Sequence, residues 1–379
     1  MTTIARGNTE PELEITGGVD THRDTHTAAA IDQAGRMLGH AVFPTTNAGY
    51  IALLAWLRSF GLVVLVGVEG TGAYGSGLTS YLTGQGVVVV EIDRPSRKTR
   101  RSAGKSDPID AEAAARAALG RVRTGTPKTR DGQVEALRNL RIARNSAVSQ
   151  RAGCMRKIKA LIVTAPQGVR ERLRKLTNAR LIQTCANLRP DTTQIGDPEQ
   201  AVKTALRSLA RRHLAAQEEI AELDTLITPL IEVINPELLQ LSGVGPGVAG
   251  QLLVTAGQNP ERIRSDGAFA MLCGVAPIPA SSGQTHRHRL NRGGDRQANA
   301  ALYTIVISRL RWDPRTHAYV AKRTADGLSK KDIIRCLKRL IAREIYYVLR
   351  QTKPTANQQT TATATRPPTM LACAARPAG

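Results

Sequence analysis

"ITGGVDTHRDTHTAAAIDQAGRMLGHAVF" (residues 15–43) holds three short runs that read as β-strands: "ITGGVD" (15–20), "HTAAAID" (26–32) and "MLGHAVF" (37–43). The last two are separated by "QAGR", a hairpin-like turn. Beyond them the hydrophobic period changes. "NAGYIALLAWLRSF" (47–60) has helical spacing, "LVVLVGVE" (62–69) reads as a buried strand, a helix is expected near 75–84, and "GVVVVEID" (86–93) reads as another buried strand. An alanine-rich helix follows Asp107.

A three-stranded meander followed by alternating helix and strand is the element order of the ribonuclease H-like fold, in which the first and fourth strands lie side by side. Asp20 ends the first strand and Glu69 ends the fourth, so their carboxylates are expected at one edge of the sheet. The last helix is placed to bring Asp107 and Asp110 there. In "KSDPIDAEAAARA" (105–117), Asp107 reads as the helix N-cap and Pro108 as the first helical residue. A cap needs only one acid. Two carboxylates on one helical turn, roughly 6 Å apart, repel by about 3 kcal/mol at an effective dielectric near 20. Four converging acids therefore call for a divalent cation, and Mg²⁺, a hard ion that takes oxygen ligands, suits an all-carboxylate set. In the neighbouring "DTHRDTH", Asp24, His22 and His26 read as structural or substrate-contacting groups rather than zinc ligands.

The chain's 379 residues allow two or three domains. With 53 Lys plus Arg against 31 Asp plus Glu, the net charge is +22, and the isoelectric point is near 10.5. Such a balance predicts a polyanionic partner, nucleic acid by default. Its densest positive run, Arg94 to Lys105, holds Arg97, Lys98, Arg100, Arg101 and Lys105, expected to grip nucleic-acid backbone beside the acids. "VVLVGV" and "VVVV" are far shorter than the roughly 20 residues of a membrane span. The N-terminus carries carboxylates and no apolar stretch, unlike a secretory signal. Five scattered cysteines suggest neither disulfides nor a zinc site. These features fit a cytoplasmic protein. Aromatic residues make up only 3%, which argues against base stacking as the main binding mode.

Strand signals fade between about 121 and 235. Residues 132–162 form a long basic helical stretch, and 198–234 carry Val202, Leu206, Leu209, Ile220, Leu223, Ile227 and Leu230 at coiled-coil-like spacing. Periodicity alone leaves open whether this seam packs within the chain; an interface between protomers is the expectation, with 190–198 as the connecting loop. "GVGPG" (243–247) between two helical stretches is similar to a helix-hairpin-helix turn, in which Gly243, Gly245 and Gly247 let backbone N–H groups meet a phosphate. A short helix at "SDGAFAMLCG" and helices at about 295–311 and 329–350 are expected, with a low-complexity tail from Gln351. "ASSGQTHRHRLNRGGDR" sets Ser281 and Ser282 beside Gly283, with Arg287, Arg289 and Arg292 close behind. A hydroxyl next to clustered arginines suits either attack on a phosphodiester or simple phosphate contact, and chemistry alone favours the contact.

Taken in order, "GVD" with Asp20, "GVEGTGAYG" with Glu69, "KSDPIDA" with Asp107 and Asp110, "GVGPGVA", "LCGVAPIPASSG" and "LNRGGDRQAN" resemble the DEDD transposases of bacterial insertion sequences of the IS-one-ten type, bridge-RNA-guided serine recombinases. The resemblance covers about residues 15–350. Arg23 stands where many relatives carry lysine. The resemblance implies an α/β plus α chain: a RuvC-like, ribonuclease H-like domain over 15–125 holding Mg²⁺ on Asp20, Glu69, Asp107 and Asp110, a helical coiled-coil region over 126–235, and a mainly helical C-terminal transposase domain over 236–350, with tails at 1–14 and 351–379. It further implies that a serine, carried over to Ser281 with Ser282 as fallback, becomes joined to DNA. Expected partners are double-stranded DNA at the element ends and target, an element-encoded guide RNA, and further copies of the chain in a dimer or tetramer, in a bacterial cytoplasm at the nucleoid. The rival readings are a Holliday-junction-type metal nuclease, which would not need Ser281, and a non-catalytic nucleic-acid-binding protein, against which the intact acid set argues.

Overall fold

The alternation seen in the sequence becomes a six-stranded sheet flanked by helices. In this computed structural model the described residues are 12–92, 106–122, 124–281, 283 and 288–351. The strands are β1 (Glu14–Thr21), β2 (Thr25–Ile31), β3 (Met37–Pro44), β4 (Leu62–Glu69), β5 (Val89–Ile92) and β6 (Thr124–Gly125), in the spatial order β3-β2-β1-β4-β5-β6. β1 pairs antiparallel with β2 and parallel with β4, in the register Gly18↔Gly67 and Val19↔Val68. The expected meander and the adjacency of first and fourth strands are both present. Strand β5 is shorter than the run at 86–93, and the two-residue β6 has no signal in the sequence.

One face of the sheet packs α1 (Asn47–Arg58) and α2 (Ser76–Gly84), whose Leu53, Leu54, Leu57, Leu78 and Leu82 close a core with Ile15, Val19, Val66 and Val68. The other face carries α3 (Asp107–Leu119). Its buried residues Ala111, Ala114, Ala115 and Ala118 recur at helical spacing, a stripe made only of methyl groups. The strands beneath answer with glycine. A Cβ on Gly18 would lie 2.1 Å from the backbone nitrogen of Ala115, and one on Gly67 would meet the Ala114 carbonyl at 2.8 Å. Backbone thus rests nearly on backbone, which only small residues permit.

The next region is an antiparallel helical hairpin. Its long arms are α4 (Gly132–Thr164) and α7 (Pro198–Ile234); α5 (Gln167–Leu173) and α6 (Asn178–Ala186) close the tip. Ile158 and Ile162 pack there with Leu173, Cys185, Leu206 and Leu209, while Arg144 binds Asp224 further down. At the base, Leu137, Ile227 and Ile231 join the C-terminal core. The stripe expected between protomers finds its cover within the chain. Leu206, Leu209, Ile220 and Ile227 are buried within one chain, and Val202, Leu223 and Leu230 pack against the same clusters, because α4 supplies the partner helix.

The C-terminal part comprises α8 (Glu237–Gln240), α9 (Pro246–Ala256), α10 (Asp266–Leu272), a two-stranded hairpin β7 (Ile278–Pro279) and β8 (His288–Arg289), α11 (Arg296–Trp312), α12 (Pro314–Ala325) and α13 (Lys330–Gln351). Phe269, Leu302, Ile305 and Ile345 centre its core. Helix α12 was not foreseen. The expected tails fall largely outside the described residues. Among the described residues no helix is long and apolar enough to cross a membrane.

Candidate metal centre and serine hairpin

Parity along β1 sets the first feature. Gly18 faces α3, so Asp20, two residues on, faces the same side at the strand's end. Continuing the parallel register one step sets Glu69 beside it, buried at the end of β4. The Thr21 hydroxyl donates to the Glu69 backbone carbonyl at 2.7 Å, tying the two strand ends together. Across the gap, α3 begins. Its N-cap is Ser106, so Asp107 is the first helical residue and Pro108 the second. Asp107 as the cap is therefore corrected by one position. Its carboxylate is not engaged as the N-cap and reaches the site.

There the structure brings together Asp20, Asp107 and a residue that sequence reasoning set aside, His22. One nitrogen, Nε2 of His22, lies 3.1 Å from Asp20 Oδ2 and 3.4 Å from Asp107 Oδ1. The ligating atoms of the three residues all lie within 4.8 Å of one another. Asp110, one turn along α3, is close enough to act on Asp20 through its charge. Burial first, then the charges of Asp110 and Asp107, push the Asp20 carboxyl above its ordinary value, while His22 pulls it down. Glu69 flanks this group without belonging to the tight triplet. Carboxylates gathered where they repel, with one imidazole among them, form a donor set suited to a divalent cation. The signal that could have found His22 is its two-residue spacing from Asp20, which keeps both on one side of an extended chain.

Ser281 lies just after β7, exposed, in the loop that β8 returns from; Gly283 follows with φ of +56°. Arg289 is exposed on β8, and Arg292 is exposed beyond it. The calls on Arg97, Lys98, Arg100, Arg101, Lys105, Ser282 and Arg287 lie outside the described residues. The hairpin's exit is firmly held. Asp295 caps α11 by accepting from the N–H groups of Gln297 and Ala298, and its other oxygen accepts from buried Thr255 at 2.7 Å. Asn299 donates to the carbonyls of Cys273 and Gly274 and accepts from Lys338. The quoted "LNRGGDRQAN" thus contains a helix cap and a clamp. Sequence reading alone missed the clamp, because its partners lie far away in the chain.

The glycine turn has a single-turn first helix, α8, and then Gly245 as the N-cap of α9 with Pro246 behind it. Gly243 takes φ of +77° and sits against α11, where a Cβ would meet the Ile305 carbonyl at 3.2 Å. Gly245 and Gly247 are exposed. Beneath them, buried Arg141 of α4 donates to the Gly247 carbonyl at 2.8 Å and to Gln251 at 3.0 Å. Burial lowers the Arg141 guanidinium to about 10, still a cation at neutral pH.

Comparison with known proteins finds matches over both the N-terminal and the C-terminal parts. Residues 17–165 match the transposase family described as DEDD, IS110 type, and residues 235–321 match the transposase family described as IS116/IS110/IS902. Together these spans exceed half of the chain. The Insertion element IS110 uncharacterized 43.6 kDa protein of Streptomyces coelicolor is 27% identical over 174 residues, 45% of this chain and 43% of that protein. The Insertion element IS900 uncharacterized 42 kDa protein of Mycobacterium paratuberculosis is 24% identical over 155 residues, 40% of this chain and 39% of that protein. The aligned part therefore spans about two fifths of the length of these relatives.

Proposed function

The chain belongs to the IS110 family of DEDD transposases, and from that premise we propose that it cuts and rejoins DNA strands at the ends and target of an insertion element. The observation that carries this reading is the meeting of Asp20 and Asp107 at one sheet edge, with Asp110 and Glu69 adjacent, in a chain of net charge +22. In this reading Asp20, Glu69, Asp107 and Asp110 hold Mg²⁺, which when bound would neutralise charge developing on a phosphate. The serine is Ser281. Its Oγ attacks phosphorus, the phosphodiester's P–O bond to one deoxyribose breaks, and that sugar leaves with a free hydroxyl. The serine–phosphate ester keeps the energy of the broken bond, so a second sugar hydroxyl can displace Oγ and rejoin strands without ATP. No "GxxxxGK" loop occurs in the chain, which agrees with that economy.

A serine hydroxyl at neutral pH is a weak nucleophile and needs cationic help at the phosphate. Arg289 and Arg292 are suited to supply it, with Arg287 as a third cation of the same loop. The exposed turn at Gly245 and Gly247, leading into α9, offers N–H groups for DNA or RNA backbone. Guidance by an element-encoded RNA and action as a dimer or tetramer complete the proposal. The run Arg97, Lys98, Arg100, Arg101 and Lys105 would bind nucleic-acid backbone beside the acids.

Trapping on a nicked DNA substrate, with the linked peptide mapped by mass spectrometry, tests the central step. A covalent adduct at Ser281 is expected, and Ser281→Ala should lose it while still binding DNA. An adduct that persists in Ser281→Ala and vanishes in Ser282→Ala moves the nucleophile one residue. Recombination by the unmutated protein without any adduct favours the metal-only nuclease.

A further inference from the structure

His22 belongs to none of the four acid positions, yet it lies between two of them, Asp20 and Asp107. We infer that its Nε2 is a further metal ligand alongside Asp20 and Asp107, so that the site binds Mn²⁺ more tightly than its carboxylates alone would. This rests on the reading that the acids bind a divalent cation. Three observations carry it.

The first is convergence. One imidazole nitrogen faces oxygens of two carboxylates at 3.1 and 3.4 Å, although a single N–H points along only one hydrogen bond. A cation in place of that proton would serve both acids and the nitrogen together. The second is anchoring. The backbone N–H of His22 donates to the Thr25 carbonyl at 3.0 Å, and that of Thr45 donates to the Asp24 carbonyl at 3.0 Å, so the turn that presents the ring is bonded to the start of β2 and to the chain beyond β3. The third is access. The His22 side chain is 49% exposed and Asp107 is 52% exposed, whereas Asp20 is only 12% exposed, so the group opens to solvent on the side of His22 and Asp107. An all-oxygen site suits Mg²⁺, whereas imidazole shifts preference toward transition ions.

Mn²⁺ is the probe, because nitrogen bound to it produces a ¹⁴N coupling in pulsed electron paramagnetic resonance. With the full-length protein, Mn²⁺ binding that is lost in Asp20→Asn locates the ion at this site. A ¹⁴N coupling present in the unmutated protein and absent in His22→Gln is expected. In the same variant Mn²⁺ affinity by calorimetry should fall about tenfold, while Mg²⁺ affinity changes less than about threefold. Mn²⁺ bound at the Asp20 site without nitrogen coupling overturns the inference and leaves the acid site standing. So does tighter Mn²⁺ binding by His22→Gln, which would make the ring a competing cation. Failure of the unmutated protein to bind Mn²⁺ or Mg²⁺ at all overturns both this inference and the metal reading beneath it.

Discussion

His26 sits on β2 opposite Thr21, fully buried, with neither ring nitrogen hydrogen-bonded; its ring stacks on Tyr50 at 5.8 Å and an interplanar angle of 11°. Burial pushes its imidazole below the ordinary value of 6.5. The unfolded chain therefore takes up a proton near pH 6.5 that the folded chain refuses. Stability is fully present above that pH and declines as pH falls toward the lowered folded value, by up to about 1.4 kcal/mol per pH unit. His26→Phe keeps the stacking and removes the titration. Urea unfolding at pH 7.5 and 5.5 should show a smaller acid loss in His26→Phe than in the unmutated protein; equal losses would show that the ring is protonated when folded. His22, four residues earlier, has the opposite setting, exposed and between acids, so two histidines of one short motif serve separate purposes.

At the scale of elements, the seat of α3 on β1 and β4 decides whether the acids meet. An Asp at a strand end and an Asp at a helix start come together only if the helix axis lies very close to the sheet. Gly18 and the alanine stripe of α3 give that closeness. Gly18→Ala is expected to cost about 2–3 kcal/mol in urea unfolding, because its methyl would enter the backbone of Ala111 and Ala115. It should also weaken divalent-ion binding by shifting Asp107. Gly84→Ala, where a Cβ meets nothing within 4 Å, is the control and should change stability by less than about 1 kcal/mol. If the two variants behave alike, the close approach is not what positions α3.

Across the whole molecule, the helical hairpin and the C-terminal part share one hydrophobic core, since Leu137, Ile227 and Ile231 pack with residues from Leu238 to Leu349. The chain of contacts Arg141–Gln251–Thr255–Asp295 runs from α4 through α9 to the cap of α11 behind the serine hairpin. Residues 127–130 strap the parts together. Pro127 and Thr129 bond Asn259, half-buried Lys128 donates to the Val254 carbonyl, and Arg130 reaches the Gly72 carbonyl beyond β4. Because Leu206 is wholly buried at the hairpin tip, Leu206→Lys should lower the unfolding free energy by at least about 3 kcal/mol. Circular dichroism melting checks this, with light scattering alongside. A halved mass with unchanged melting would instead return the seam to an interface between copies.

Local pattern determined much of the N-terminal half by itself. Period-two and period-3.6 runs suffice for the order of elements and for the strand ends at Asp20 and Glu69, because those signals are local, whereas the adjacency of the first and fourth strands came from likeness to the ribonuclease H-like fold. The cap at Ser106 instead of Asp107 was a one-residue matter that sequence chemistry leaves ambiguous, since Ser and Asp both cap well. Only the tertiary structure decided the rest. A heptad-like stripe states that a helix needs a partner and not which one, so the antiparallel return of α4 against α7 could not be read from 198–234. His22 joined Asp107 across 85 positions, and Asp295 joined Thr255 across 40. Contacts of that range depend on how finished elements dock, which no local preference encodes.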